Sequence, residues 1–211
     1  MRILSFNWFL LILPAFISAS ACPAFAQSLG LGLGWYESID PPRPTWSSNY
    51  NIDQKPTFSI EFYFRNIVNS DRNTRLGFQL SFTRARSNPK NPHEWSSASY
   101  KYLFSSYLFS YQKKIYHKDF FYLLGSFSGG LSFRKSDPVD GHGCCEVPFA
   151  NIKEGVSLQP GVYFVFRVYK VVAIQISGRY NHLITDGDDF YPFSSGFVFE
   201  GGLLLLPISS H

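Results

Sequence analysis

Eight segments of this chain alternate apolar and polar residues, and the gaps between the segments are alternately long and short. The alternation is clearest over residues 58–64 and 76–82, where every second residue is Phe, Ile or Leu. Successive side chains of a β-strand point to opposite faces, so each segment has one apolar and one polar face. The pattern predicts strands at roughly 28–36, 57–67, 75–84, 98–111, 120–134, 156–168, 171–183 and 195–207.

The first 26 residues have the features of a secretory leader. Arg2 is followed by an apolar stretch over residues 3–17, and Ala24 and Ala26 offer small residues for cleavage. The apolar stretch is shorter than the about 20 residues that a membrane-spanning helix needs. We therefore expect residues 1–26 to be a signal peptide and residues 27–211 to form the mature domain. An uncleaved anchor and a lipoprotein cut just before Cys22 are the alternatives.

Composition favours strands over helices. The chain has 22 Phe, 13 Tyr and 4 Trp, and only 16% of its residues are charged. Aromatic and β-branched residues are enriched in strands. The sequence after the leader has no run of 18 apolar residues, so helical membrane spans are not expected. The formal net charge is +4, and the basic residues do not form a dense run in the sequence. No nucleic-acid binding is therefore predicted.

The gaps between the segments distinguish two kinds of barrel. A soluble lipocalin-like barrel places the apolar faces inward, whereas a membrane barrel places them outward. An even number of strands, with short turns at one end and long loops at the other, is typical of outer-membrane barrels and favours that type. The soluble, ligand-binding barrel remains the alternative. The long gaps are 37–56, 85–97, 135–155 and 184–194, and the short ones are 69–73, 112–118 and 169–170.

The sequence resembles the small, eight-stranded β-barrel proteins of bacterial outer membranes, in the porin-like superfamily. The resemblance covers residues 27–211 and is carried by the strand alternation, the loop asymmetry, the first strand with glycine at every second position over 30–34, and the last strand from Gly196 to Pro207. It implies an all-β, antiparallel, up-and-down transmembrane barrel in contact with outer-membrane lipid. The sequence departs from the pattern at His211, where such barrels often carry an aromatic residue.

Charged residues on the inward-facing side of the strands predict a filled interior. An eight-stranded barrel is just wide enough for side chains to fill it, and buried charges are costly unless they are paired. We therefore predict a plugged lumen with an ion-pair network. Arg179 and Glu200 are nearly equidistant from the middle of the 184–194 gap and are predicted to lie across from each other. The predicted network comprises Glu61, Arg65, Arg134, Arg167, Arg179 and Glu200.

Cys144 and Cys145 stand next to each other in the gap at 135–155. An oxidising compartment favours a disulfide, and free thiols, intermolecular bridges or a metal site are the alternatives. Adjacent cysteines do not easily place both sulfurs on one metal, so no metal site is predicted. The acidic run at 186–189 lacks the closing glutamate of a calcium loop. No cofactor is expected.

Residues 179–182 resemble the histidine segment of the lipid A 3-O-deacylases, with His182 as the matching histidine. That family expects a serine two residues further on, where this sequence has Ile184, and a supporting glutamate on the next strand. Glu200 has inward parity, so the resemblance predicts no relay on one face. We therefore predict no catalytic residues, with a deacylase-like hydrolase as the alternative.

These observations predict a non-enzymatic barrel of the bacterial outer membrane with a structural or surface-interaction role. The interacting segments are expected at 37–56 and 135–155, and the partner is an extracellular ligand or another envelope protein. The sequence does not specify the ligand or the oligomeric state.

Overall fold

The computed structural model describes residues 28–39, 50–53, 55–64, 67–68, 72–89, 99–138, 151–184 and 192–206. Among them, no helix is long and apolar enough to cross a membrane. The strands are β1 (Ser28–Ser38), β2 (Tyr50–Ile52), β3 (Pro56–Tyr63), β4 (Thr74–Pro89), β5 (Tyr100–Lys118), β6 (Phe121–Pro138), β7 (Asn151–Tyr169), β8 (Val172–Ile184) and β9 (Gly196–Leu205).

Eight of these strands close into a barrel. Going round the wall, the order is β4, β3, β1, β9, β8, β7, β6 and β5, and β5 pairs with β4 to complete the circle. Every pairing is antiparallel. The three-residue β2 pairs only with the far end of β4. The predicted all-β, eight-stranded antiparallel barrel is confirmed.

The two faces of the wall differ in polarity, and the apolar face points outward. Phe78 and Ile176, on opposite sides of the barrel, are 49% and 51% exposed. The inward positions are instead occupied by many buried polar residues, including Ser59, Glu61, Gln79, Ser106, Ser132, Gln159, Gln175 and Arg179. A soluble lipocalin-like barrel needs the reverse arrangement, so that alternative is wrong.

Two of the three connections at one rim are two-residue turns, whereas every connection at the other rim has ten or more residues. One rim has the connections at 64–73, 119–120 and 170–171, and the other has those at 39–55, 90–99, 139–150 and 185–195. In outer-membrane barrels short turns face the periplasm and long loops face outward. We refer to these rims as the periplasmic rim and the outer rim.

The turn between β5 and β6 differs from the prediction. Residues 112–118 belong to β5, and the turn consists of Asp119 and Phe120. Lys118 pairs with Phe121, so the ladder continues to the turn, with a bulge between Lys114 and Tyr116. Asp119 has a φ of 51°, which a two-residue hairpin turn requires.

Several strands also extend beyond their predicted ends at the outer rim. β4 reaches Pro89, β6 reaches Pro138, and β7 begins at Asn151, so the predicted loops 85–97 and 135–155 are partly strand. Beyond the membrane both faces of a strand can be polar, so backbone pairing continues where the alternation stops. The predicted strand 57–67, in contrast, ends at Tyr63.

Candidate functional site: the barrel interior

The interior has a polar layer between two apolar layers. Along β8 the inward residues change from Ala173 to a polar series ending at Asn181, and along β9 Glu200 stands between Val198 and Leu204. The periplasmic layer comprises Tyr63, Ile67, Val68, Tyr122, Leu124, Tyr163, Val165, Ala173, Leu204 and Leu206. The outer layer comprises Tyr36, Ala85, Tyr102, Phe104, Phe193 and Val198.

Segments outside the barrel strands contribute residues to both apolar layers. Phe193, which precedes β9, turns into the barrel and stacks on Phe104 with ring centres 5.0 Å apart. Tyr36 contacts Phe104 and Phe193 with its ring edge, accepts a 2.9 Å hydrogen bond from Asn181 Nδ2 and donates to the carbonyl oxygen of Ser194. At the other end, Ile67 lies in the connection after β3 and is fully buried in the periplasmic layer.

Arg179 is the central cation of the polar layer. Its Nη2 makes an ion pair with Glu200 Oε2, and its Nη1 lies 3.8 Å from Glu61 Oε1. Ser59 Oγ donates a 2.9 Å hydrogen bond to the same Glu200 oxygen. All of these side chains are buried. An ion pair removed from water stabilises a protein only when further hydrogen bonds serve its remaining atoms. Ser59 serves Glu200 Oε2, whereas Arg179 Nε and Nη1 and Glu200 Oε1 have no hydrogen-bond partner among the described residues.

Arg179 and Glu200 do not face each other directly, so that prediction is wrong. Arg179 pairs with Val198, and Glu200 pairs with Ser177, which makes the ion pair a diagonal one. The predicted and observed registers differ by two residues, so both keep Arg179 and Glu200 on the inward face and side-chain parity does not distinguish them. A long arginine side chain spans the diagonal separation.

Glu61 is held by three hydrogen-bond donors. Its carboxylate accepts bonds from the hydroxyl of Tyr163 at 2.6 Å, the hydroxyl of Tyr63 at 2.9 Å and Nε2 of Gln175 at 3.0 Å. Hydrogen bonds of this kind offset the cost of removing a carboxylate from water. The four residues come from β3, β7 and β8, so the contacts join different parts of the wall.

Arg75 is a buried cation that the sequence interpretation did not include. Its guanidinium lies 3.6 Å from the ring centre of Tyr63 and donates from Nε and Nη2 to Gln112 Oε1 at 2.9 and 2.7 Å. Gln112 in turn donates to the Tyr63 hydroxyl at 2.5 Å. The sequence did contain a signal for its burial, because Arg75 lies on the same face of the strand as the inward residue Gln79.

The other residues of the predicted network lie outside this cluster. Arg134 is buried on β6 in the outer half, with its guanidinium 6.0 Å from the ring centre of Tyr102. Arg167 is exposed at the periplasmic end of β7, so its predicted place in the buried network is wrong. It has inward parity, but the strand ends there at a bulge. Arg65, Cys144 and Cys145 lie outside the described residues.

The glycines of β1 make room for the polar layer. A Cβ on Gly30 would lie 3.0 Å from both Gln175 Nε2 and Glu61 Oε2, and one on Gly32 would lie 2.5 Å from Ser59 Oγ. Side-chain atoms do not approach a Cβ that closely without displacement. The glycine at every second position of this strand therefore has a packing role on the inward face.

A second feature lies at the outer rim, on the outside of the wall. Ser195 Oγ is 3.4 Å from His182 Nδ1 and accepts a 3.0 Å hydrogen bond from the Leu183 N–H. Position 184 carries no hydroxyl, as the sequence shows, but Ser195 reaches His182 because the segment entering β9 folds back onto β8. Glu200 points to the opposite face of the wall, and within the described ranges no hydrogen bond or ion pair joins His182 to a carboxylate.

Lys55 lies at the outer rim, in the connection before β3. Its Nζ donates a 2.5 Å hydrogen bond to Ser38 Oγ and lies 5.9 Å from the ring centres of Tyr36 and Phe193. Burial against these groups lowers the pKa of Lys55 to about 8, although nearby Glu37 acts in the opposite direction. Lys55 therefore titrates closer to neutral pH than an ordinary lysine.

No protein-family model matches the chain, and no curated protein matches it. Among solved structures it is similar to Ail, the attachment invasion locus protein of Yersinia pestis, with a TM-score of 0.42, 13% identity, and coverage of 86% of this chain and 99% of that one. A second structure of that protein, in complex with the heparin analogue sucrose octasulfate, has a TM-score of 0.41, 15% identity, and coverage of 84% and 94%.

The location of the protein follows from its own architecture. A closed barrel satisfies every backbone group between its strands, which is a requirement for crossing hydrocarbon. The outward face is apolar and the inward face polar. This inversion, with eight antiparallel strands and unequal rims, is the arrangement of single-chain bacterial outer-membrane barrels. The protein is a small β-barrel of the bacterial outer membrane.

Proposed function

We propose that the protein is a non-enzymatic outer-membrane barrel whose filled interior stabilises the wall that carries its outer loops. The observation that supports this most strongly is the order of the interior layers, with buried apolar side chains at each end and the Arg179 cluster between them. An ion crossing such an interior would have to displace both apolar layers.

Conductance in planar lipid bilayers tests the filled interior. We expect the purified barrel to show no steady current. Removing two rings of the interior together, Tyr63→Ala with Tyr163→Ala, should produce current fluctuations. The matched control is Tyr107→Ala with Tyr111→Ala, which removes two rings from the outward face. A large constant conductance of the unaltered barrel would contradict the proposal.

We also propose that the segments 37–56 and 135–155 carry the surface interaction. Residues 1–26 are proposed to be a leader that is removed during export. Support comes from the strands on either side, which bring both segments to the outer rim. Cells lacking the protein can be complemented with a barrel in which residues 139–150 are replaced by a short Gly-Ser linker. Restored resistance to detergent would assign a structural role to the wall, and a failure to restore it would assign the role to the loop.

A deacylase-like hydrolase is the second candidate, because Ser195 lies beside His182. A nucleophilic serine needs a base that is itself oriented by a third group. Lipid A from cells with and without the protein can be compared by mass spectrometry. Loss of an acyl chain that disappears in both Ser195→Ala and His182→Ala would replace the non-enzymatic proposal.

A further inference from the structure

Four cationic side chains lie together on the outer wall of the barrel at the outer rim. Arg84 and Arg86 are outward residues of β4, Lys101 of β5 and Lys135 of β6. The first three are exposed, and the side chain of Lys135 is 44% exposed. We refer to these four residues as the cationic arc.

Strand register brings the members of the cationic arc close to one another. Arg86 pairs directly with Lys101, while Arg84 and Lys135 both pair with Leu103 from its two sides. Like charges that face each other across a strand pair destabilise it. Arg86 and Lys101 form the one direct like-charge pair of the arc, and an anion bound at the outer wall would reduce this repulsion.

Carboxylates of the described residues compensate the cationic arc only in part. Asp137 is the strand partner of Lys101, and its carboxylate lies 3.0 Å from Lys135 Nζ. Glu154 lies opposite Phe133, two residues further toward the membrane than Lys135. Asp53 lies beside Arg86, donates its backbone N–H to the Arg86 carbonyl oxygen at 2.9 Å and accepts a 3.3 Å hydrogen bond from Asn88 Nδ2. Within the described ranges, no ion pair joins Arg84 or Arg86 to a carboxylate.

The cationic arc lies just above the apolar belt. Arg84 follows Phe82 by two residues, and Lys135 follows Phe133 by two. Two residues of a strand inclined to the barrel axis rise about 5 Å along that axis, which corresponds to the headgroup level of a lipid leaflet. Below the arc, Tyr107 and Phe133 pack edge to face with ring centres 5.8 Å apart and offer an apolar surface for acyl chains.

The charge is confined to one side of the barrel. On β7, β8, β9 and β1 none of the described outward residues at the outer rim is Lys or Arg. Those residues are Ile152, Glu154, His182, Ile184, Phe197, Glu37 and Ile39. A general attraction to an anionic surface would not require such an asymmetry, whereas a binding site for one ligand would produce it.

We propose that the cationic arc binds the phosphate groups of a phosphorylated glycolipid in the outer leaflet. One guanidinium group can donate two parallel hydrogen bonds to phosphate oxygens, and an ammonium group adds a compact positive charge. The apolar surface beneath the arc lies where the acyl chains of such a lipid run. This inference rests on the outward orientation of the long-loop rim and is independent of the filled interior.

Native mass spectrometry of the full barrel in a nonionic detergent tests this site. The probes are bisphosphoryl lipid A, the same lipid without its phosphates, and inorganic phosphate as competitor. The test variant combines Arg84→Gln, Arg86→Gln and Lys101→Gln. The matched control combines Arg72→Gln, Lys113→Gln and Lys118→Gln, which makes the same charge change at exposed residues of the periplasmic rim. Heat-modifiable gel mobility verifies folding of each variant.

We expect bisphosphoryl lipid A to bind the unaltered barrel and the control with equal affinity. Its affinity for the test variant should be lower by a factor of about ten or more, because charge-assisted hydrogen bonds are lost. Equal binding of the dephosphorylated lipid would show that acyl packing alone is recognised and would overturn the proposal. Equal loss in the control would show nonspecific attraction. Displacement of lipid A by millimolar inorganic phosphate would identify a free-phosphate site instead.

A single substitution separates charge repulsion from folding. Arg86→Glu places opposite charges across from each other at Lys101, so the lipid-free barrel should unfold at a higher temperature. The same variant should bind bisphosphoryl lipid A more weakly than the unaltered barrel. A variant with increased stability and undiminished lipid binding would overturn the proposal.

Discussion

The hydroxyl of Tyr163 donates a 2.6 Å hydrogen bond to Oε1 of Glu61 across the full width of the barrel. Tyr163 is on β7 and Glu61 on β3, and three strands separate these two in either direction around the wall. Contact between diametrically opposed strands is available only in a narrow barrel whose interior is filled by side chains. The bond therefore joins the two halves of the wall through a buried charge.

Tyr163→Phe should destabilise the barrel without changing its shape. The substitution removes one of three donors to a buried carboxylate, and hydrogen bonds to charged groups are worth about 1.5–3 kcal/mol. Urea unfolding of the barrel in lipid vesicles measures the loss. Tyr107→Phe is the control, because this outward tyrosine lies away from the cluster, and its change should stay within about 0.5 kcal/mol. Equal losses in the two variants would contradict the structural role of the Glu61 contact.

Gly32→Ala should destabilise the barrel by about 1–3 kcal/mol, the usual cost of inserting a methyl group into a packed interior. The new Cβ would lie 2.5 Å from Ser59 Oγ and 3.3 Å from Glu200 Oε2. Gly201→Ala is a matched control on the neighbouring strand, because nothing lies within 4 Å of its Cβ position. Urea unfolding compares the two variants, and a Gly201 variant as unstable as the Gly32 variant would point to backbone effects instead.

The barrel itself could be predicted from the sequence because side-chain direction alternates residue by residue. Phe78 faces outward and Gln79 inward, because adjacent residues of a strand point to opposite faces and these two differ in polarity. The asymmetry of the rims was also visible, since it depends only on the spacing of the segments. The strand ends beyond the membrane were not, because backbone pairing there continues without an alternating pattern.

The details of the site depend on register and on segments that fold back, and a single sequence specifies neither. The diagonal contact of Arg179 and Glu200 requires the offset between β8 and β9. Ser195 reaches His182 only because the chain returns over the rim before β9 begins. Phe193 likewise enters the outer layer from outside any barrel strand, where no parity rule applies.

A double-mutant cycle tests the coupling of Arg179 and Glu200. Removing one partner of a buried ion pair leaves an uncompensated charge and costs about 3–5 kcal/mol. Removing both leaves only Glu61, which loses Arg179 but keeps its three hydrogen-bond donors. Arg179→Ala with Glu200→Ala should therefore cost less than the sum of the single substitutions. Urea unfolding of the four proteins gives the coupling free energy. Additive losses would show that the two charges are stabilised independently.

Phe78→Arg should prevent efficient insertion of the barrel into membranes. Phe78 lies on the outward face of β4, between the outward apolar residues Leu76 and Leu80, and an arginine facing lipid at mid-membrane costs about 2–4 kcal/mol. Thr74→Arg is the control on the same strand and face, at the periplasmic end, where the cost falls to about 0–1 kcal/mol. Heat-modifiable gel mobility after refolding into vesicles measures the folded fraction. Equal folding of both variants would contradict the assignment of the outward face to lipid.

The stability of the barrel should rise between pH 8 and pH 10.5 through Lys55. In the folded barrel burial holds the pKa of Lys55 at about 8, below the ordinary value of 10.5 that applies in the unfolded chain. Between these values the unfolded chain binds the additional proton, so the free energy of unfolding increases with pH. Below about pH 8 both states are protonated, and this contribution to the slope disappears.

Unfolding of the unaltered barrel and of Lys55→Met across this range should show a steeper rise for the unaltered barrel. Glu37→Gln removes the nearby negative charge, lowers the pKa of Lys55 further and should start the rise at a lower pH. Identical slopes for the unaltered barrel and Lys55→Met would show that the amine is fully solvated at the rim.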